Sequence, residues 1–238
     1  MAGTLFISDL HLDPSRPNVT RAFAQYLQNN RDCDQLYILG DLVESWIGDD
    51  DDSPLVAELT TLLSAFTGAG PQLFLMHGNR DFLIGQLFCQ RVNAQLIADP
   101  TVIDLYGVPT LLMHGDSLCT EDWAYQEFRS IARSRAWQQE FLANSLVQRI
   151  TIAAQLRAKS KESNSNKAQD IMDVSQQAVA DALTVHGVRQ LIHGHTHRPA
   201  QHQIGRATRW VLGDWCDKGW QIVATEKGIE LLGFDIKG

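Results

Sequence analysis

The chain has 238 residues, 44% hydrophobic and 20% charged, a balance that excludes disordered and fibrous classes. Its formal charge of −8 argues against a protein held on long nucleic acid by phosphate neutralisation, though a local cluster or metal ions could still meet a small anion. Cys33, Cys89, Cys119 and Cys216 form no CxxC pair, which suits a reducing compartment rather than a zinc knuckle or a disulfide framework.

In chain order, Thr4–Ser8 is a short apolar strand leading into Asp9 and His11, and a helix is expected over Val19–Asn29. A second strand, Gln35–Leu39, leads into Gly40-Asp41, and a second helix covers Pro54–Phe66. Gln72–Met76 leads into His77-Gly78-Asn79, and Thr110–Met113 into His114-Gly115-Asp116. Leu191-Ile192 leads into His193-Gly194-His195-Thr196-His197, and strands at 210–212, 221–225 and 229–234 close the chain. Runs this short and rich in Ile, Leu and aromatics read as buried strands, and their alternation with helices predicts βαβ units in an α/β domain. Residues 123–167 differ, with eight basic residues against three acidic ones, so that segment carries +5 and the rest −13. Leu142, Leu146, Ile150 and Ala154 recur there every fourth residue, with Trp137 and Phe141 one step off. This predicts one or two amphipathic helices, inserted as a cap over about 122–168 of a single domain spanning 1–238. The start of the chain lacks the pattern of a signal peptide and no stretch is apolar enough to span a bilayer, so a soluble cytoplasmic protein is expected.

Five strand ends therefore carry Asp, His and Asn. Asp9-x-His11 puts two side chains on one side of an extended segment, and His195-x-His197 repeats that geometry. With Asp41, Asn79 and His114 they make seven candidate metal ligands, more than one ion needs, which suggests two ions with Asp41 bridging. Oxygen and nitrogen donors without thiolate suit Mn²⁺, Fe or Zn²⁺. Any one motif alone is as well explained by a turn; five together are not.

The order D-x-H, G-D, G-N-R-D, H, G-H-x-H resembles the calcineurin-like metallophosphoesterases. That resemblance implies a four-layer α/β/β/α sandwich, with Asp9, His11, Asp41 and His197 holding one metal and Asp41, Asn79, His114 and His195 the other. Tyr37–Asp51, Gly78–Leu83, His114–Thr120 and Ala158–Lys167 narrow the likeness to the UDP-2,3-diacylglucosamine pyrophosphatase (hydrolase) family of lipid A biosynthesis. Membership would imply two Mn²⁺ ions and hydrolysis of UDP-2,3-diacylglucosamine to UMP and 2,3-diacylglucosamine 1-phosphate, by metal-activated water attacking the α-phosphorus. By the same likeness Asn79, Arg80 and His195 would hold the phosphate, while Asp122, Ser160, Asn164 and Lys167 would hold the glucosamine phosphate head. A basic cap would then face the anionic inner leaflet of the inner membrane, and a monomer with no protein partner and no nucleic acid is expected.

Many of these phosphoesterases carry His where this chain has Arg80. A guanidinium does not give up its proton near neutral pH but does clamp phosphate oxygens. That favours a leaving group needing no acid, such as a phosphate monoester with a second pKa of about 6, and hence a phosphoanhydride substrate. Arg80 as a structural partner of Asp81 or of a neighbouring carboxylate is the plainer alternative. Two rivals share the same residues: a phosphodiesterase for cyclic nucleotides or nucleic acid ends, and a non-enzymatic scaffold, against which all seven ligands stand. Asp49–Asp52 reads as a solvated loop. Trp46, Trp123 and Trp137 read as packing, His77 and His193 as groups turned away from the metals, and His186 as the last turn of a helix.

Overall fold

The structure is a computed structural model that describes residues 3–165 and 173–236. Each short apolar run buries both of its faces, and the period of two sends alternate side chains to different cores. In β1 (Thr4–Ile7) Phe6 faces one core while Leu5 and Ile7 face another; in β2 (Gln35–Leu39) Tyr37 and Leu39 part from Leu36 and Ile38 in the same way. The core that takes Phe6, Tyr37 and Leu39 also takes Met76 of β3 (Gln72–Met76), together with Leu105, Leu112, Ile192 and Trp210 from a second sheet. This is a sheet-on-sheet interface, with Tyr37 stacked between Phe6 and Phe74 at 5.1 and 4.4 Å.

The first sheet has the order β11-β10-β1-β2-β3-β4, adding β4 (Ala94–Ile97), β10 (Lys218–Thr225) and β11 (Gly228–Asp235). From β1 to β4 its pairs are parallel, whereas β10 joins β1 antiparallel. The second sheet has the order β5-β6-β7-β9-β8, from β5 (Thr101–Leu105), β6 (Val108–Leu112), β7 (Gln190–His193), β8 (Ala200–Ile204) and β9 (Ala207–Val211). Helices α1 (Pro17–Asn29), α2 (Pro54–Gly68) and α3 (Gln86–Arg91) cover the first sheet through Phe23, Leu59, Leu63 and Phe88. Helix α7 (Gln176–Val185) covers the second through Val179 and Leu183. The layers are thus α/β/β/α, as expected. Proline at the first turn of α1 and α2 sets φ where the helix begins, and Ser53 caps α2 by accepting from the Val56 amide.

After Asp122 and before α7 the described residues form three α-helices rather than one or two: α4 (Trp123–Ala132), α5 (Arg135–Leu142) and α6 (Leu146–Ser165). Of the every-fourth-residue apolar stripe, only Leu146 packs on the body. Leu142 is left exposed at the end of α5, and Ile150 and Ala154 face outward on α6. The face of α6 turned to the body carries Leu146, Arg149, Ala153 and Arg157, at three- and four-residue steps that return to one side of a helix. Trp137 stacks on the buried Phe141 and leans on Phe82. Trp46 is buried against Phe88 as expected, but Trp123, expected to pack, is 80% exposed.

The acidic run is also more than a solvated loop. Asp49 accepts from Trp46 Nε1 and from the Gly85 and Phe88 amides, capping α3. Asp50 pairs with Arg149, and Asp51 accepts from the Ser53 amide. Asp52 is exposed.

Candidate metal centre

Parallel strands of one sheet end on the same edge, so β1, β2 and β3 bring Asp9, His11, Asp41 and Asn79 together. The second sheet supplies His114 after β6, and His195 and His197 after β7. Asp9 Oδ1 lies 3.4 Å from His197 Nε2 and 4.0 Å from His11 Nε2, and the two imidazole Nε2 atoms are 3.3 Å apart. Asp41 reaches both sides, with Oδ2 3.7 Å from His11 Nε2 and Oδ1 3.8 Å from His114 Nε2. Asp9, His11 and His197 form one cluster able to hold a cation, and Asp9, Asp41 and His114 form another.

The backbone is strained at this edge. Among the described residues seven non-glycine residues have positive φ, and five of them are Asp9, His11, Asp41, His195 and His197. Each such residue costs roughly 1–3 kcal/mol unless its surroundings hold it there, which is why such strain collects at functional sites. Glycine is needed where the loops touch: a Cβ on Gly194 would strike Asp9 Oδ2 and Ser8 Oγ, and one on Gly78 would strike Asp41.

The donor set fits divalent metal. Asp9 is fully buried; its Oδ2 accepts from Ser8 Oγ and the His195 amide at 2.5 and 2.9 Å, while Oδ1 has no hydrogen-bond partner. A buried, unpartnered carboxylate oxygen facing two imidazoles is an arrangement that a cation satisfies. His114 Nδ1 donates to the Leu39 carbonyl at 2.9 Å, which turns Nε2 toward the site. Burial opposes charge on His114, but Asp41, Asp9 and Asp116 outweigh it and lift its pKa to about 9, so the local field favours a cation. His195, by contrast, is lowered to about 4 by burial and then by His114. The Asn79 carboxamide lies 2.9 Å from both His114 Nε2 and His195 Nδ1. Its oxygen points at the rings in one orientation; turned over, its nitrogen donates to them and its oxygen accepts from Arg80 Nε at 3.2 Å.

Arg80 borders the cluster. Its amide donates to Asp41 Oδ1 at 2.8 Å and its Nε lies 3.9 Å from Asp41 Oδ2. Asp81 is not its partner: that buried carboxylate accepts from the Gly78 and Leu42 amides at 2.7 and 2.8 Å, splinting two metal loops. Burial, then Asp41, pushes the Asp81 pKa up to about 6.

Of the residues expected to hold a sugar phosphate, Asp122 is buried and caps α4, accepting from the Tyr125 amide at 3.1 Å. Ser160 is half-buried on α6. The Asn164 side chain and the whole of Lys167 lie outside the described residues. His77 Nε2 is 2.7 Å from the Ile84 carbonyl, His193 is buried beneath the metal loop, and His186 ends α7 with Nδ1 donating to the Ala182 carbonyl.

Three carboxylates escaped the sequence reading. Glu44 Oε2 lies 3.0 Å from His11 Nδ1, and Asp214 Oδ2 lies 3.8 Å from His197 Nδ1. Asp116 is fully buried and accepts from Arg129 Nε at 2.8 Å and from the Tyr125 hydroxyl, while Arg133 Nη2 donates to the Gly78 carbonyl at 2.8 Å. Helix α4 is thereby fastened to two metal loops, with the Tyr125 ring 6.1 Å from that of His195. Asp116 was legible as the residue completing His114-Gly115-Asp116; Glu44 and Asp214 depend on chain pairing that no local motif shows.

Residues 3–199 match the model of the calcineurin-like phosphoesterase family. UDP-2,3-diacylglucosamine hydrolase of Cellvibrio japonicus is 52% identical over 98% of this chain and 99% of its own. The enzymes of the same name from Marinobacter nauticus and Klebsiella pneumoniae are 50% and 47% identical, over 94% and 97% of this chain and 93% and 98% of theirs. An archaeal phosphodiesterase structure superposes with a TM-score of 0.51 at 14% identity, covering 97% of this chain and 99% of its own, a likeness of fold. The chain belongs to the calcineurin-like phosphoesterases and, within them, to the UDP-2,3-diacylglucosamine hydrolase family. It is thus a hydrolase of the metallophosphoesterase class with a site suited to divalent metal.

Proposed function

We propose that this protein hydrolyses the pyrophosphate bond of UDP-2,3-diacylglucosamine, releasing UMP and 2,3-diacylglucosamine 1-phosphate (lipid X), in lipid A biosynthesis. The observation that carries this reading is identity at 46–52% to enzymes of that name across essentially the whole chain, the helical segment included. Asp9, His11, Asp41 and His197 would hold one divalent ion and Asp41, Asn79, His114 and His195 a second, with Mn²⁺ the ion proposed. Bound ions of this kind supply Lewis acidity, lowering the pKa of water and neutralising phosphoryl charge.

The remaining work falls to side chains of this chain. Arg80 clamps the phosphoryl oxygens as charge develops, and its distance from Asp41 leaves its terminal nitrogens for substrate. Asn79 and His195 help hold the phosphate. Water attacks the α-phosphorus and the lipid 1-phosphate departs as an anion that needs no general acid. Asp122, Ser160, Asn164 and Lys167 hold the sugar phosphate head, with α4–α6 serving as a cap on one catalytic domain.

No described helix is long and apolar enough to cross a membrane. We read the protein as cytoplasmic and peripheral on the inner face of the inner membrane. Support comes from Trp123, Val147 and Ile150, which stand exposed on α4 and α6, the helices that carry five of the eight basic residues of 123–167. We read it as a monomer.

The test is UMP release from UDP-2,3-diacylglucosamine by chelator-treated protein with and without Mn²⁺, beside Asp41→Ala. Release that requires Mn²⁺ and is lost in the variant is expected. Cleavage of bis(p-nitrophenyl) phosphate without UMP release would keep the metal centre and overturn the substrate.

A further inference from the structure

His11 presents Nε2 to the metal cluster, while its buried Nδ1 has no hydrogen-bond partner and stands 3.0 Å from Glu44 Oε2. Backbone pairing puts Glu44 there. The His11 amide donates to the Asp41 carbonyl, the Leu12 amide to the Leu42 carbonyl and the Glu44 amide back to the Leu12 carbonyl, at 3.0, 3.0 and 3.1 Å. The carboxylate's other oxygen, Oε1, accepts from Arg157 Nη2 on α6. A single side chain thus touches both a candidate metal ligand and the cap. The pair is partly exposed, with Arg157 29% and Glu44 32% accessible, and such pairs do little to hold a helix down. Arg149 already docks the same helix through a guanidinium only 5% exposed. What distinguishes the Glu44–Arg157 pair is the imidazole at its far end.

We propose that Glu44 is a positioning residue that couples metal binding at the Asp9–His11–His197 cluster to the seating of α6. This rests on the metal-centre part of the function proposed above and not on its lipid substrate. A small turn of the Glu44 carboxylate onto Nδ1–H would fix the tautomer that leaves the Nε2 lone pair facing the ion, and raise the ligand's basicity. An ion on Nε2 in turn makes Nδ1–H a stronger donor, which holds the carboxylate still and presents Oε1 to Arg157 in one place. Coupling of this kind is reciprocal, so whatever seats α6 also tightens the metal. Ser160 sits one turn beyond Arg157 on the same helix, so the metal cluster and that proposed headgroup contact are set together.

The experiment uses the full chain, stripped of metal, with Mn²⁺ as the probe. Mn²⁺ affinity is measured by equilibrium dialysis, and amide exchange of 146–160 is followed with and without saturating Mn²⁺. In the unsubstituted protein Mn²⁺ should slow exchange in α6. Glu44→Ala should weaken Mn²⁺ binding roughly 10- to 100-fold and abolish that slowing even at saturation. Glu44→Gln keeps an acceptor for His11 but no charge for Arg157, so it should retain most of the affinity and lose the slowing. Arg157→Ala touches no candidate ligand, yet should weaken Mn²⁺ about fivefold, the low end of measured couplings. Unchanged exchange of α6 on adding Mn²⁺ to the unsubstituted protein would overturn the proposal. So would unchanged Mn²⁺ affinity in Arg157→Ala. If Glu44→Ala does not fold, the other two variants decide. Loss of UMP release with both readouts intact would count against the substrate alone, whereas failure to bind Mn²⁺ would overturn the metal centre with the coupling.

Discussion

Replacing Arg149 with Met should destabilise the protein by about 3 kcal/mol, whereas Asp50→Asn should cost about 1, although the two residues share one ion pair. The difference follows from what each leaves behind. Arg149 Nη1 donates to the Ile47 carbonyl and Asp50 Oδ1, both at 2.7 Å; Nη2 donates to Asp50 Oδ2 at 2.5 Å and Nε to the Asn144 carbonyl at 3.0 Å. Its side chain is 5% exposed and that of Asp50 61%. Methionine keeps the apolar stem, so the loss is polar: the buried Ile47 carbonyl is left without its donor at roughly 1–3 kcal/mol, with a smaller loss at the end of α5. Asp50, once released, is hydrated. Asparagine at 50 keeps an acceptor for the guanidinium, whose contacts to both carbonyls survive, and ion pairs with an exposed partner contribute roughly 0–1 kcal/mol. At about 2–4 °C per kcal/mol for a chain of this size, Arg149→Met should lower Tm by roughly 6–12 °C and Asp50→Asn by roughly 2–4 °C. Urea titration at constant slope gives the free energies directly. Equal losses in the two variants would refute the reasoning, since the ion pair and not the carbonyls would then hold the cap.

Three other outcomes are expected. Gly194→Ala pushes a Cβ into Asp9 Oδ2 and Ser8 Oγ, so Mn²⁺ affinity by equilibrium dialysis should fall at least about tenfold with roughly 1–3 kcal/mol of overpacking; unchanged affinity would show that the loop yields. Arg80→Lys removes the planar fork while keeping the charge, and should lower kcat/KM for the UDP-lipid by roughly 10²–10³ with metal content unchanged by atomic absorption. Burial pushes the Cys33 and Cys89 thiols up to about 11 and Cys119 up to about 12, while Cys216 is exposed. A thiol is inert until pH nears its pKa, so at pH 8 a disulfide reagent should titrate one thiol in the native protein and four in denaturant; more than one fast native thiol would contradict the packing.

How much of this was legible depended on whether the information was local. Asp9-x-His11, Gly40-Asp41 and His195-x-His197 each follow a strand whose burial is written in a handful of consecutive residues, and parallel pairing then delivers their side chains to one edge. The helices α4–α6 were legible as helices but not in how they dock. The docking face of α6 is set by Arg149 and Arg157, residues that hydrophobic periodicity scores as outward, and by carbonyl and carboxylate partners about a hundred positions away. The acidic run was misread for the matching reason: Asp49 and Asp50 look solvated until the Gly85 and Phe88 amides and the Arg149 guanidinium arrive from elsewhere.

The same distinction explains Glu44. Asp41 and Glu44 are three residues apart, yet what aims Glu44 at His11 is hydrogen bonding between two strand extensions whose left-handed residues take them out of the regular ladder. Strand propensity cannot anticipate that pairing, because the φ values of His11 and Asp41 are ones that propensity disfavours. The strain that positions the metal ligands therefore also places the carboxylate behind one of them, and sequence reasoning finds the first effect without the second.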